Sequence, residues 1–76
     1  MTDTKALREK IDESGYKSRF IAERVGITYQ GLLKKINNET EFKASEIQKL
    51  CELLRIDVRG KEKIFFASEV GKKSTN

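Results

Sequence analysis

Apolar residues recur three and four positions apart along most of this 76-residue chain, in short stretches without any proline. This spacing places apolar side chains on one face of an α-helix. Gly15 and Gly26 each follow such a stretch, where a left-handed residue commonly ends a helix. The pattern predicts an all-α protein, a compact bundle of about four to five short helices joined by short connections.

The positions of four helices follow from the apolar spacing. They are predicted over residues 4–14, 18–25 and 29–36, and over a stretch that ends near residue 54. The fourth helix starts either near Lys43 or at a capping box formed by Ser45 and Gln48, and the sequence does not separate these starts. The apolar run at 64–67 fits a helix and a strand equally well.

A chain this short supports one hydrophobic core, because it buries only about 60% of its unfolded surface. We expect a single domain over residues 1–76, with a core of residues 4–57 and a C-terminal extension of residues 58–76. The extension is expected to form a short strand, an extended dimerisation tail or the end of a helix.

Membrane insertion and secretion are not expected from this sequence. The longest apolar run, at 64–67, has four residues, whereas a membrane-spanning helix needs about 20. Residues 1–10 are polar, unlike a signal peptide. We expect a cytoplasmic protein with its single cysteine reduced and with no membrane partner.

The composition argues against catalysis and metal binding. With no histidine and one cysteine, the chain lacks both a nucleophile with its base and a four-ligand zinc site. Its glycines are scattered, so no glycine-rich phosphate loop is present. We expect no enzyme activity, no cofactor, no metal and no small-molecule substrate. Cys51 is expected to be a small buried hydrophobe, and Glu46 is expected to pair with Lys49.

Positive charge is concentrated in the middle of the chain. The net charge is +4 and the pI is about 9.3. Residues 17–38 contain five basic residues and one acidic residue, which gives this segment alone a charge of +4. Such a segment suits a phosphate-bearing partner, although it is equally compatible with an ordinary solvated face.

Residues 18–32 have the pattern of a helix-turn-helix. Ala22 is small enough for two helices to cross closely, and Gly26 permits the turn between them. The corner is packed by Ile21, Val25, Ile27 and Leu32. Over about residues 5–57 the chain resembles the phage Cro and repressor family, the lambda-repressor-like or Xre-type helix-turn-helix proteins. Residues 33–42 and 45–56 are similar to small Cro-like regulators of temperate phages and prophages in Gram-positive bacteria.

The chain departs from the family pattern at three positions. Lys17 stands where such proteins often have a serine or threonine cap, and Ser18 stands where many have a phosphate-binding glutamine. Lys35 replaces a common apolar residue, so Ile36 is expected to take the core position and the third helix to be rotated accordingly.

The resemblance implies a transcriptional repressor that binds double-stranded operator DNA with its third helix in the major groove. It implies base contacts by Thr28, Tyr29, Gln30, Leu33 and Lys34. It implies phosphate contacts by Lys17, Ser18, Arg19, Lys35, Asn38 and Lys43. Gln30 is the strongest candidate, because its amide matches the donor and acceptor of adenine.

Several of these side chains have a structural alternative. The Tyr29 ring contacts DNA or packs over the second helix, and Leu33 contacts a thymine methyl or completes the core. Asn37 is as readily a helix C-cap as a DNA contact.

A homodimer is expected, because one short helix offers few base contacts. Its interface is expected at Ile64, Phe65, Phe66 and Val70, and the alternative is that these residues cap the core of the single chain. The main alternative function is a protein-binding modulator, an anti-repressor or an antitoxin, that binds a partner such as a phage repressor. RNA binding is weakly supported, because no aromatic stacking platform is visible in the sequence.

Overall fold

The computed structural model describes residues 2–66. They form five helices: α1 (Thr4–Ser14), α2 (Ser18–Val25), α3 (Tyr29–Ile36), α4 (Ala44–Leu54) and α5 (Val58–Phe65). The described residues contain no strand, and the expected all-α bundle is confirmed. The run at 64–67, undecided in the sequence, contributes its first two residues to α5. Val70 lies outside the described residues.

The helices begin where short polar side chains satisfy their free amides. Asp3, Thr28 and Asp57 each accept a hydrogen bond from a backbone N–H three residues further on, and so cap α1, α3 and α5. The residue before α2 is Lys17, which makes no side-chain cap. The amino end of α2 therefore keeps unsatisfied N–H groups.

The start of α4, which the sequence left open, lies just after Lys43. The backbone N–H of Lys43 donates to the Glu46 carboxylate at 2.9 Å. This half of a capping box anchors the first turn, and the alternative start at Ser45 is not used.

Gly26 makes the turn from α2 to α3 possible. Its φ of 90° lies in the left-handed region, which side chains rarely adopt. Its N–H donates to the Ala22 carbonyl at 2.9 Å and thereby closes the end of α2. The predicted helix-turn-helix corner forms around this residue.

All five helices contribute to one hydrophobic core. Its buried members are Leu7, Ile11, Ile21, Ala22, Val25, Leu32, Ile36, Ile47, Leu50, Leu54, Ile56, Ile64 and Phe65. Cys51 is half-buried against this core, where burial raises the pKa of its thiol.

The core extends beyond the expected residues 4–57, because α5 packs against α1 and α4. Ile64 and Phe65 are 2% and 4% exposed, and the Phe65 ring meets Phe42 edge to face with ring centroids 5.5 Å apart. These two residues therefore cap the core of the single chain, which was the alternative to a dimer interface. Of the expected interface residues that the structure describes, only Phe66, at 36% exposed, lies at the surface.

Within residues 2–66, no helix is long and apolar enough to cross a membrane. In the same residues, no group of three histidine, cysteine, aspartate or glutamate side chains comes close enough together to hold a metal ion.

Candidate nucleic-acid interface

Packing against the core gives α3 an inner and an outer face. Leu32 and Ile36, one turn apart, are at most 2% exposed. The side chains of Gln30 and Lys34 are exposed on the outer side of the same helix. A short helix with one face anchored and a polar face open to solvent is suited to entering a groove.

Thr28 stands at the exposed amino end of α3. Its hydroxyl accepts a hydrogen bond from the Gly31 backbone N–H at 2.9 Å, so the side chain caps the helix. Thr28 is nevertheless exposed. It lies at the end of α3 that the resemblance directs towards base edges.

Leu33 is half-buried beside Lys34 on α3. Partly buried apolar side chains do pack against the core at Ala6, Ile27, Phe42, Cys51 and Leu53. Leu33 is not one of these within the described residues. Leu33 thus lies at the edge of the core, and its contact with DNA remains a prediction.

The Tyr29 ring connects the amino ends of α3 and α2. The guanidinium carbon of Arg19 lies 4.3 Å from the centroid of this ring. A cation–π contact of this kind contributes about 0.5–1 kcal/mol at an exposed site. Packing against α2 was one of the two alternatives for Tyr29, and this contact with Arg19 of α2 is of that kind.

Three of the expected phosphate contacts are exposed cations near the amino ends of α2 and α4: Lys17, Arg19 and Lys43. Ser18 is half-buried at the first position of α2, next to the uncapped amino end of that helix. Helix amino ends attract anions, because their free N–H groups carry partial positive charge.

Lys35 occupies a different environment from the other expected phosphate contacts. Its ammonium lies 2.6 Å from the Glu46 carboxylate, and the two side chains are only 13% and 10% exposed. Lys35 is thus committed to a buried ion pair that joins α3 to α4, which corrects its expected role. The expected pairing of Glu46 with Lys49 is wrong for the same reason.

Residues 6–59 match the Cro/C1-type HTH DNA-binding domain. The chain belongs to this family. The match runs from α1 into α5 and confirms the helix-turn-helix resemblance. It identifies the protein as a DNA-binding regulator. No curated protein and no solved structure matches the chain.

In this Cro/C1-type domain, the acidity of Glu46 reflects two opposing effects. Burial by itself would raise the pKa of its carboxyl group. Hydrogen bonds from the Lys35 ammonium and the Lys43 backbone N–H, together with both lysine charges, outweigh burial and lower the pKa. The ion pair therefore stabilises the fold above the ordinary glutamate pKa of about 4.3, and this contribution is lost as the pH falls through the lower pKa of the folded state.

We expect Lys35→Met to lower the free energy of unfolding by about 2 kcal/mol at pH 7, because Glu46 is left charged, buried and short of a partner. The difference from wild type should shrink at acidic pH, as Glu46 becomes protonated. Urea titrations at several pH values measure both effects. Lys10→Met is the control: its 3.8 Å pair with Glu13 is exposed, so a loss of only about 0.5 kcal/mol is expected. Equal losses in the two variants would contradict the buried role.

Asn38 also has a role other than the expected one. Its side chain bonds to the Thr2 backbone and to the Thr4 hydroxyl. Its backbone adopts a left-handed φ of 65° just after α3. These bonds occupy the amide and correct its assignment as a phosphate contact.

The sequence also concealed an exposed aromatic pair. The rings of Tyr16 and Phe20 lie 5.0 Å apart, and the Arg24 guanidinium carbon lies 5.8 Å from the Phe20 ring centroid. Both residues are about two fifths exposed, at 42% and 39%. Phe20 lies outside the apolar stripe of α2, and this position was the only sequence signal for the pair.

Proposed function

We propose that this domain is a sequence-specific repressor that binds operator DNA as a dimer, with α3 in the major groove. The observation that carries the proposal is the division of α3 into an anchored face at Leu32 and Ile36 and an open polar face at Gln30 and Lys34. The major groove admits an α-helix and presents a distinct donor and acceptor pattern for each base pair. Repression itself is inferred from the resemblance to Cro-like regulators.

Base readout is assigned to the outer face of α3. The Gln30 amide donates to adenine N7 and accepts from adenine N6, which discriminates against other bases by about 1–3 kcal/mol. Lys34, one turn further on, suits guanine O6 or a phosphate. Leu33 and the aliphatic part of Thr28 suit a thymine methyl, and Tyr29 suits a thymine methyl or a phosphate.

Phosphate binding is assigned to residues at the amino ends of α2 and α4. Lys17, Arg19 and Lys43 are exposed, and Ser18 adjoins the uncapped amino end of α2. Contacts to phosphates fix the register of a protein on the duplex but carry no base information. They also make binding weaken as salt increases, because counterions are released.

Dimerisation is proposed because a single α3 presents few base contacts, and a two-fold dimer reads half-sites about 34–36 Å apart. With Ile64 and Phe65 buried, the exposed apolar residues in this part of the described chain are Val58, 73% exposed at the start of α5, and Phe66, 36% exposed just after its end. Sedimentation equilibrium should show a dimer that Phe66→Ser or Val58→Ser weakens. A monomer at the concentrations that bind DNA would contradict this part.

Selection from a random DNA pool at moderate salt tests the proposal directly. We expect the bound duplexes to share a two-fold repeat, because each protomer reads one half-site. A reporter gene carrying the selected repeat at its promoter should then be repressed. Absence of any enriched sequence would contradict specific readout. Enrichment of a sequence without repression of the reporter would support specific DNA binding and contradict the proposed repressor role.

The salt dependence of binding should separate two neighbouring lysines. Lys34 is exposed on α3, whereas Lys35 is held by Glu46. If Lys34 contacts a phosphate, we expect Lys34→Ala to reduce the slope of log affinity against log salt by about 0.9 for each protomer. Lys35→Met, measured where the protein remains folded, should leave the slope unchanged. Equal slopes in Lys34→Ala and wild type would remove Lys34 from the phosphate contacts.

A further inference from the structure

We infer that Asn38 and Thr4 are positioning residues for base readout: they fasten the carboxyl end of α3 to the amino end of α1 and to Thr2 just before it. The inference rests on the proposed function, because its consequence is sequence discrimination by α3. Neither side chain is required to touch DNA.

Asn38 pairs with the backbone of Thr2 through both atoms of its amide group. Its nitrogen donates to the Thr2 carbonyl at 2.8 Å, and its oxygen accepts from the Thr2 N–H at 3.0 Å. The two bonds resemble the pair of hydrogen bonds between opposite residues of antiparallel strands. Here a side chain makes them, across a sequence separation of 36 residues. It fixes the position of the Thr2–Thr4 segment relative to the end of α3.

Thr4 completes the connection by acting in both directions. Its hydroxyl accepts from the Asn38 side-chain nitrogen at 3.2 Å and donates to the Ile36 carbonyl at 2.9 Å. Ile36 is the last residue of α3, and the final carbonyls of a helix have no partner within it. Arg8 of α1 adds a hydrogen bond to the Asn37 side chain. Residues of α1 thus supply hydrogen-bond donors to the carboxyl end of α3.

A helix as short as α3 depends on such contacts. It has eight residues, and isolated helices below about 12–15 residues are marginal in water. Leu32 and Ile36 fix its inner face, but a helix held by one apolar stripe retains freedom to tilt and fray at its end. The bonds to Thr4 and Asn38 restrict that freedom one turn beyond Leu33 and Lys34.

Sequence discrimination should be more sensitive to this restriction than overall affinity. Hydrogen bonds to bases require donor–acceptor distances of about 2.7–3.2 Å, and binding sites lose performance when held about 1 Å too loosely. Contacts to phosphates are less demanding, because charge attraction falls off gradually with distance. Loosening the end of α3 should therefore reduce the ratio of specific to non-specific affinity.

Two variants test the inference with the full chain. Asn38→Gly retains a residue suited to the left-handed backbone and removes all three side-chain bonds. Thr4→Val keeps the side-chain shape and leaves the Asp3 cap of α1 intact. Ser14→Ala is the matched control, because it removes a 2.6 Å side-chain bond to the Ile11 carbonyl at the opposite end of α1.

The first readout is the affinity for the selected duplex divided by that for a scrambled duplex of equal length. We expect Asn38→Gly and Thr4→Val each to lower this ratio about 10-fold, equivalent to the loss of one bidentate base contact. Ser14→Ala should leave the ratio unchanged. Circular dichroism establishes that each variant is folded, and if Asn38→Gly fails to fold, Thr4→Val decides.

The second readout is hydrogen exchange without DNA at the backbone amides of Asn37, Asn38 and Glu39, which bond to carbonyls of α3. We expect exchange about 10-fold faster in both variants. Unchanged exchange, or an unchanged affinity ratio in folded variants, would overturn the inference while leaving the proposed function intact. If wild type prefers no duplex, the proposed function fails first and the inference falls with it.

Discussion

Replacing Gln30 by alanine is expected to lower affinity for the selected duplex about 5- to 150-fold for each half-site, because a bidentate contact to adenine contributes about 1–3 kcal/mol. Affinity for a scrambled duplex should stay within about 2-fold of wild type, since non-specific binding is carried by phosphate contacts. Fluorescence anisotropy with both duplexes at one fixed salt concentration measures the two affinities.

The control for this prediction is Gln48→Ala, which removes the same side chain from an exposed position on α4. It should change neither affinity. Stability should be almost unaffected in both variants, because exposed substitutions usually change the free energy of unfolding by less than about 0.5 kcal/mol. If Gln30→Ala retained full discrimination, the direct readout assigned to α3 would be wrong.

Leu32→Ala should produce the largest loss of stability among these variants, about 3–5 kcal/mol. Leu32 is fully buried, at 0% exposed, in the core shared by all five helices. Truncation removes its apolar contacts and leaves a cavity between α3 and the rest of the bundle. Domains of this size have a total stability of only about 4–11 kcal/mol, so the variant should be partly unfolded at 37 °C. Urea denaturation monitored by circular dichroism measures the change.

Leu33→Ala is the matched control, one residue further along the same helix. Because Leu33 is half-buried and outside the core, we expect a loss of about 1 kcal/mol or less in stability. Its affinity for the selected duplex should nevertheless fall if the side chain contacts a thymine methyl. A stability loss as large as that of Leu32→Ala would place Leu33 in the core and withdraw it from the proposed interface.

These two leucines show how the structure separates folding from recognition within α3. One side of the helix supplies core volume, and the adjacent side supplies contacts for a partner. Substitutions on the inner side should therefore lower function only by reducing the folded fraction. Substitutions on the outer side should alter discrimination while the protein remains folded.

Local patterns predicted the first three helices with the observed bounds, as well as the turn at Gly26 and the inward positions of Leu32 and Ile36. Each depends on residues within a few positions of one another, because helical periodicity, capping and left-handed glycine are local effects. The same patterns identified Gln30 as an outward-facing residue. Its contact with a base remains a prediction.

The sequence could not predict contacts between distant segments. Lys35 belongs to a cationic run and was assigned to phosphate, yet Glu46, eleven residues away, holds it in a buried pair. Asn38 has turn composition, but its partners are 34 and 36 residues away. No spacing rule connects such positions, because their proximity depends on how α1, α3 and α4 pack.

Ile64 and Phe65 illustrate the same division at the other end of the described chain. Their apolar character was evident from the sequence, which left open whether they served a dimer or the core. Only the return of α5 onto α1 and α4 decided that they are buried within one chain. The sequence by itself determined which residues needed to leave water, since hydrophobicity belongs to each side chain. The tertiary structure decided which surface received them, since burial depends on the packing of all the helices together.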